Sequence, residues 1–188
     1  MGAAEVFDEF GFSGASISRI MKRAGVSQGA MYFHFKSKED LARAVMNAQP
    51  ETVIPRLESH GLQRIVDMTF VWAWQIQNDV LLRAGVRLTN EQDGTSVRDA
   101  TPYTEWAQIL EVTLREAQYD GELRESVDVG RFSEFLVSAC TGMQMYSNAV
   151  SSRRDLPART VAMWQLLLPG VATQRVAESI DLDVNRLA

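Results

Sequence analysis

Apolar residues recur at helical spacing in segment after segment of this chain, and nowhere do they alternate strictly as a half-buried strand requires. Val6, Phe7 and Phe10 form one group, Ile17, Ile20, Met21 and Ala24 a second, and Leu41, Val45 and Met46 a third. The later stripes are stronger: Ile65, Met68, Trp72 and Ile76; Trp106, Ile109, Leu110, Thr113, Leu114 and Ala117; Phe132, Phe135, Leu136, Ala139, Cys140 and Met143. Each puts an apolar face on one side of a helix. Helix-breaking positions fall between them, at Gly11, Gly25, Gly61, the polar stretch Glu91 to Thr101, Gly121 and the Ser-Ser-Arg-Arg-Asp turn before Pro157. The pattern predicts an all-α chain of about nine helices. No internal repeat of fixed period is present, which argues against a solenoid.

A length of 188 residues accommodates one domain, or a small domain joined to a medium one. Hydrophobic residues at 46% and charged residues at 23% are ordinary for a globular chain. The single cysteine, Cys140, excludes an intramolecular disulfide framework. There is no basic-apolar leader at Met1 and no apolar run near the roughly 18 residues of a membrane span, so a soluble cytoplasmic protein without a membrane partner is expected. The net charge of −5 hides an asymmetry. Between Ser13 and Lys38 there are five basic residues, Arg19, Lys22, Arg23, Lys36 and Lys38, and no acidic one. From Pro50 onward, 13 basic residues face 19 acidic ones. A small basic module inside an acidic chain suits one part that meets phosphate and a remainder with another task.

Within that module two short helices can be drawn, from about Ser16 to Ala24 and from about Gln28 to His34, joined by a turn at Gly25 and Val26. Gly25 supplies the backbone freedom of the turn, Val26 is expected to plug the angle between the helices, and Ser27 is placed to cap the second. Gly29 and Ala30 keep the second helix slim enough to approach a duplex. Gln28 and Tyr32 project on one side at i and i+4, where glutamine can pair with adenine and tyrosine can reach a phosphate. Ser16 and Ser18 open the first helix, whose free backbone donors attract anions, and His34, Lys36 and Lys38 follow the second as phosphate contacts. The competing reading makes Met31, Tyr32, Phe33 and Phe35 plain core aromatics and core apolar filler, with the cations a solvated face.

Ser37 followed by Asp40 is a capping box that starts a long helix. Pro50 and Pro55 predict a kink or stop near Ala48, and Pro169 a bend in the last helix.

The run from Ala3 to Leu41, AAEVFDEFGFSGASISRIMKRAGVSQGAMYFHFKSKEDL, resembles the DNA-binding domain of TetR-family transcriptional repressors. The resemblance implies a helix-turn-helix head over residues 1–36, a helical ligand-binding and dimerisation body over 37–188, and a homodimer that binds double-stranded operator DNA. By position it places Ser16, Ser27, Gln28, Gly29, Tyr32, His34 and Lys38 at the DNA. Such domains open with a basic arm and a further helical turn ahead of the segment that starts here at Gly2, so weaker DNA affinity is expected of the chain without them. Three further runs, Val80 to Glu91, Pro102 to Trp106 and Met163 to Val171, look like the γ-butyrolactone autoregulator receptors. That likeness implies a small lactone or butenolide signal lying against Trp106.

The residues independently allow an apolar cavity with a few polar groups. Met68, Trp72, Leu88 and Trp106 are candidate lining residues, and Thr141 and Gln144 candidate orienting groups, although most of these side chains serve equally as core. Dimerisation is expected through the last two helices, about Val129 to Ser152 and Leu156 to Glu178. There Phe132, Ala139, Tyr146, Val161, Trp164 and Leu168 are the candidate interface, the alternative being that they close a monomer's core.

His34 and His60 lie too far from other ligand types for a zinc site, and no phosphate loop or nucleophile elbow is present. No metal, no cofactor and no enzymatic activity are expected. Two readings compete with a signal-released repressor: a regulator of the same fold that answers an antibiotic or no native signal, and a small helical enzyme using the same cavity.

Overall fold

A computed structural model describes residues 1–91 and 99–187. Those residues form eleven α-helices: α1 (Gly2–Gly14), α2 (Ile17–Ala24), α3 (Gln28–His34), α4 (Lys38–Asn47), α5 (Gln49–Val53), α6 (Gly61–Asn78), α7 (Val80–Asn90), α8 (Thr101–Tyr119), α9 (Val129–Ser151), α10 (Leu156–Val171) and α11 (Gln174–Ser179). Two 3₁₀ turns, Ile54–Arg56 and Val184–Leu187, are added. Extended pairing among the described residues is limited to one isolated bridge, Leu123 with Ala172. The all-α expectation therefore holds, with more and shorter helices than the expected nine. Most of the polar stretch 91–101, residues 92–98, lies outside the described residues.

The chain divides into two compact units, Met1–Thr52 with Asn78–Pro102, and Val53–Gln77 with Tyr103–Ala188. The boundary expected at 36/37 falls inside the first unit, because α4 and α7 share its core. Phe7, Phe12, Ile20, Leu41, Val45, Met46, Ala84 and Leu88 are buried together there. The rings of Phe7 and Phe12 stack at 6.3 Å. A polar seam ties α1 to α7 in the same unit. Arg83 pairs with Asp8 at 2.9 Å, and Arg87 donates to the Asp8 carbonyl and to Glu91, whose other carboxylate oxygen accepts the Phe12 N–H. Gly11 is what opens that N–H. Its φ of +66° interrupts α1, and a Cβ there would collide with the Glu91 carboxylate.

The helix that begins after Ser37 is short. Ser37 Oγ accepts the Asp40 N–H at 3.1 Å, as the capping box requires, while the Asp40 carboxylate turns to Arg43. The helix ends at Ala48, and α5 and a 3₁₀ turn carry Pro50 and Pro55, so the stop predicted near Ala48 is where the long helix gives out. Gln49 is buried in this stretch and donates to the Met46 carbonyl and to Thr89.

In the second unit, Leu62, Ile65, Phe70, Leu114, Leu136 and Trp164 are fully buried. Glu122 caps the start of α6, accepting the Leu62 N–H at 2.6 Å. Arg124 donates to the Ala172 and Pro169 carbonyls and so satisfies the end of α10. Pro169 lies inside α10, which runs on to Val171, and the second of the two long terminal helices stops there, well short of Glu178. Asp67, buried on α6, accepts from Ser59, Gln63 and Arg186, which fastens the C-terminal 3₁₀ turn to α6. Among the described residues no helix is long and apolar enough to cross a membrane.

Candidate functional site

Both short helices of the basic module are capped by the serines that precede them. Ser16 Oγ accepts the Arg19 N–H at 3.2 Å, and Ser27 Oγ accepts the Ala30 N–H at 3.3 Å. Between them Gly25 takes the left-handed conformation, φ +67°, that ends α2, so the turn is built as its sequence requires. Val26 departs from expectation: it is 42% exposed and does not plug the angle, while Ile20 of α2 and Met31 of α3 are buried.

Met31 is the one buried residue of α3, and Phe35 packs partly against the core. Gln28, Gly29, Tyr32 and His34 are exposed on the helix, as a surface meant for another molecule must be. Phe33 is exposed as well, at 84%, which corrects the reading of these aromatics as a core set. Periodicity alone does not distinguish an aromatic facing a core from one that stands exposed.

The five cations are not equivalent. Arg23 pairs with Glu9 at 2.9 Å and Glu5 at 3.3 Å, two acids that lie just ahead of the basic window, and their hydrogen bonds raise its pKa. Arg19 donates to the Gly14 carbonyl and covers the Phe10 ring. Lys38 Nζ donates to the Phe12 and Ala15 carbonyls at 2.9 and 3.1 Å and sits 4.2 Å from the Phe12 ring centroid. It therefore tethers the end of α1 and the Ser16 cap in this structure instead of projecting outward. Lys22 and Lys36 are exposed and make no ion pair among the described residues. Backbone and acid partners could not be assigned from composition, so the window's +5 overstated the charge available to phosphate.

In the body, Met68 and Trp72 lie one turn apart on α6, Met68 buried and Trp72 half-buried, and Trp106 is half-buried on α8 of the same unit. Leu88 does not join them. It packs with Phe7, Val45 and Ala84 in the core of the other unit, because the face of α7 that carries it is turned to α1 and α4. Thr141 lines a groove of about 810 Å³ between α8 and α9, together with Tyr103, Gln108, Glu111 and Met145, and its hydroxyl donates to the Val137 carbonyl. Gln144 is buried, and its side-chain carbonyl accepts from Arg153. Cys140 is half-buried on α9, and desolvation pushes its thiol up to about 12. Among the described residues no group of three or more His, Cys, Asp or Glu could hold a metal ion.

The six residues expected at a dimer face separate into two sets. Phe132, Trp164 and Leu168 are buried within the single chain, with the Phe132 and Trp164 rings edge-to-face at 6.5 Å, so they belong to the body's own core. Tyr146 is exposed, while Ala139 and Val161 are half-buried. The large apolar side chains left outside on α9 and α10 are Phe135, Met145, Tyr146, Val150 and Leu166.

Residues 2–45 match the family of bacterial regulatory proteins named tetR, and residues 59–173 match the tetracyclin repressor-like C-terminal domain. The A-factor receptor protein of Streptomyces griseus is 37% identical over 170 residues, which make up 90% of this chain; the chain spans 61% of that receptor's own length. Among solved structures, TylP, a tetR regulator from Streptomyces fradiae, superposes with a TM-score of 0.89 at 37% identity over 99% of this chain and 83% of TylP. A γ-butyrolactone receptor described as ArpA-like gives a TM-score of 0.71 at 29% identity, over 99% of this chain and 91% of its own. Both parts of the chain are thus matched, and the first match spans the capped helix-turn-helix: the chain belongs to the tetR family of bacterial regulatory proteins.

Proposed function

We propose that the protein is a ligand-responsive transcriptional repressor that binds a pseudo-palindromic operator as a homodimer and is released by a small signal of the γ-butyrolactone or butenolide class. The observation that carries this reading is α3 itself: a helix capped by Ser27 that buries one side chain and leaves Gln28, Gly29, Tyr32 and His34 exposed. Exposed recognition helices of two copies enter successive major grooves about 34 Å apart. Gln28 reads a base edge; Ser16, Tyr32 and His34 fix position on the backbone. The protein acts in the cytoplasm by binding alone, without turnover.

Pairing of two copies uses the outer faces of α9 and α10. Phe135, Tyr146 and Val150 lie along α9 with Ala139 and Gly142 between them, and Leu166 faces outward from α10. The signal binds in the body against Trp106, with Met68 and Trp72 as apolar lining. It lowers DNA affinity by the difference between its affinities for the two states of the dimer, a coupling of about 1–3 kcal/mol in such proteins.

The test is binding of the purified chain to palindromic duplexes, titrated with and without a γ-butyrolactone. Specific binding reversed by the lactone, and made insensitive to it by Trp106→Ala, supports the reading. Specific binding that no lactone or butenolide disturbs keeps the repressor and discards the signal class. Lactone turnover by the protein would replace binding with catalysis.

A further inference from the structure

The direction opposite the buried Met31 on α3 belongs to Phe33, because two residues on a helix of 3.6 per turn point about 160° apart. Gly29 precedes Phe33 by one turn on that same outward line. Gly29 and Phe33 therefore share one outward-facing strip of the helix, one turn apart. A Cβ on Gly29 would meet nothing within 4 Å, so the strip is open over the glycine, a notch one turn before the exposed Phe33. His34 meets the Phe33 ring edge-on, centroids 5.0 Å apart at 90°. Gln28 and Tyr32 flank the notch with polar groups on one side.

An 84% exposed phenylalanine in the middle of a surface carrying Gln28 and Tyr32 gains nothing from the packing of its own chain. The floor of a B-DNA major groove offers one apolar group at base edges, the C5-methyl of thymine. We propose that the notch between Gly29 and Phe33 receives a thymine methyl group, which makes Phe33 a specificity-determining residue alongside Gln28. The inference rests on the DNA-binding reading above and adds the base it selects.

The experiment selects duplexes from a random-sequence pool with the full 188-residue chain. It then replaces each thymine of the selected duplex by deoxyuridine, which removes one methyl and keeps the pairing. At one thymine per half-site the exchange is expected to weaken binding about fourfold, the worth of one buried methyl-sized group. Phe33→Ala, with an unchanged circular dichroism spectrum, is expected to bind the thymine and uracil forms equally, while Gln28→Ala keeps the difference. A wild-type chain that binds its selected duplex and ignores every uracil exchange overturns the inference and leaves the repressor reading standing. So does a Phe33→Ala variant that still distinguishes the two bases. If no duplex is enriched at all, the repressor reading fails and the notch with it.

Discussion

The indole N–H of Trp164 donates to the Thr69 hydroxyl across 2.8 Å, and that hydroxyl in turn donates to the Val66 carbonyl at 2.7 Å. Trp164 is fully buried. A side chain that completes a hydrogen-bonded chain inside one body is held there by its polar atom as well as by its area. Trp164→Phe removes the donor and leaves a small void, so a loss of about 1–3 kcal/mol in chemical denaturation is expected. Sedimentation should show the same oligomeric state as the wild type. Dissociation into monomers of unchanged stability would return Trp164 to the interface.

Leu166 presents the converse case on the same helix, at 82% exposure. If the outer faces of α9 and α10 meet in the dimer, Leu166→Glu buries an unpaired carboxylate at each copy and weakens association by roughly 2 kcal/mol or more. The expected result is a shift to monomer in sedimentation with helical content preserved. A variant that stays dimeric at low concentration would place the contact elsewhere.

What could be read from the sequence was what local chemistry decides. Ser16, Ser27 and Ser37 cap helices where the residue order places them, Gly25 takes its left-handed turn, and the two prolines end a helix at Ala48. These depend on a few neighbouring residues. Leu88 and Trp164 differ from expectation because apolar periodicity says that a face is buried without saying against which partner, and Val26 because its place in the turn does not decide whether it points inward. Lys38 shows the same limit for charge. The spacing put an ammonium near a phosphate site, but the carbonyls of Phe12 and Ala15, more than twenty residues earlier, take it up. Seven residues of the polar stretch lie outside the described residues, and the pocket around Trp106 rests on resemblance.

Lys38 and Lys36 should consequently behave differently. Lys36 is exposed; if it meets phosphate as a point charge, Lys36→Ala is expected to reduce the slope of affinity against salt by about 1 while leaving the melting temperature unchanged. Lys38→Ala releases two carbonyls and an aromatic contact, and a loss of about 1–3 kcal/mol of stability in the first unit is expected. Its DNA binding should fall because the Ser16 cap is no longer held. A Lys38→Ala protein with wild-type stability and a flattened salt slope would show that the lysine swings out to phosphate instead.

Asp155 gives a prediction in pH. Its carboxylate accepts from Ser147 at 2.5 Å and Ser151 at 2.6 Å and pairs with Arg159 at 2.7 Å, closing the turn between α9 and α10. The Arg159 hydrogen bond first, and then the two serine hydroxyls, hold the carboxyl well below the usual carboxylate range. A group whose pKa is lower folded than unfolded stabilises the fold wherever it is ionised in both states, that is, above the roughly 3.9 of a free aspartate. That contribution disappears as pH falls through the lower, folded value. Asp155→Asn should therefore melt below the wild type by a constant margin from pH 7 to about pH 5, and the margin should narrow below about pH 4 as the wild type alone loses its charge. Melting curves across that range decide the matter: a margin that persists undiminished into strong acid would mean that the shape of the Asp155 side chain, and not its charge, holds the turn.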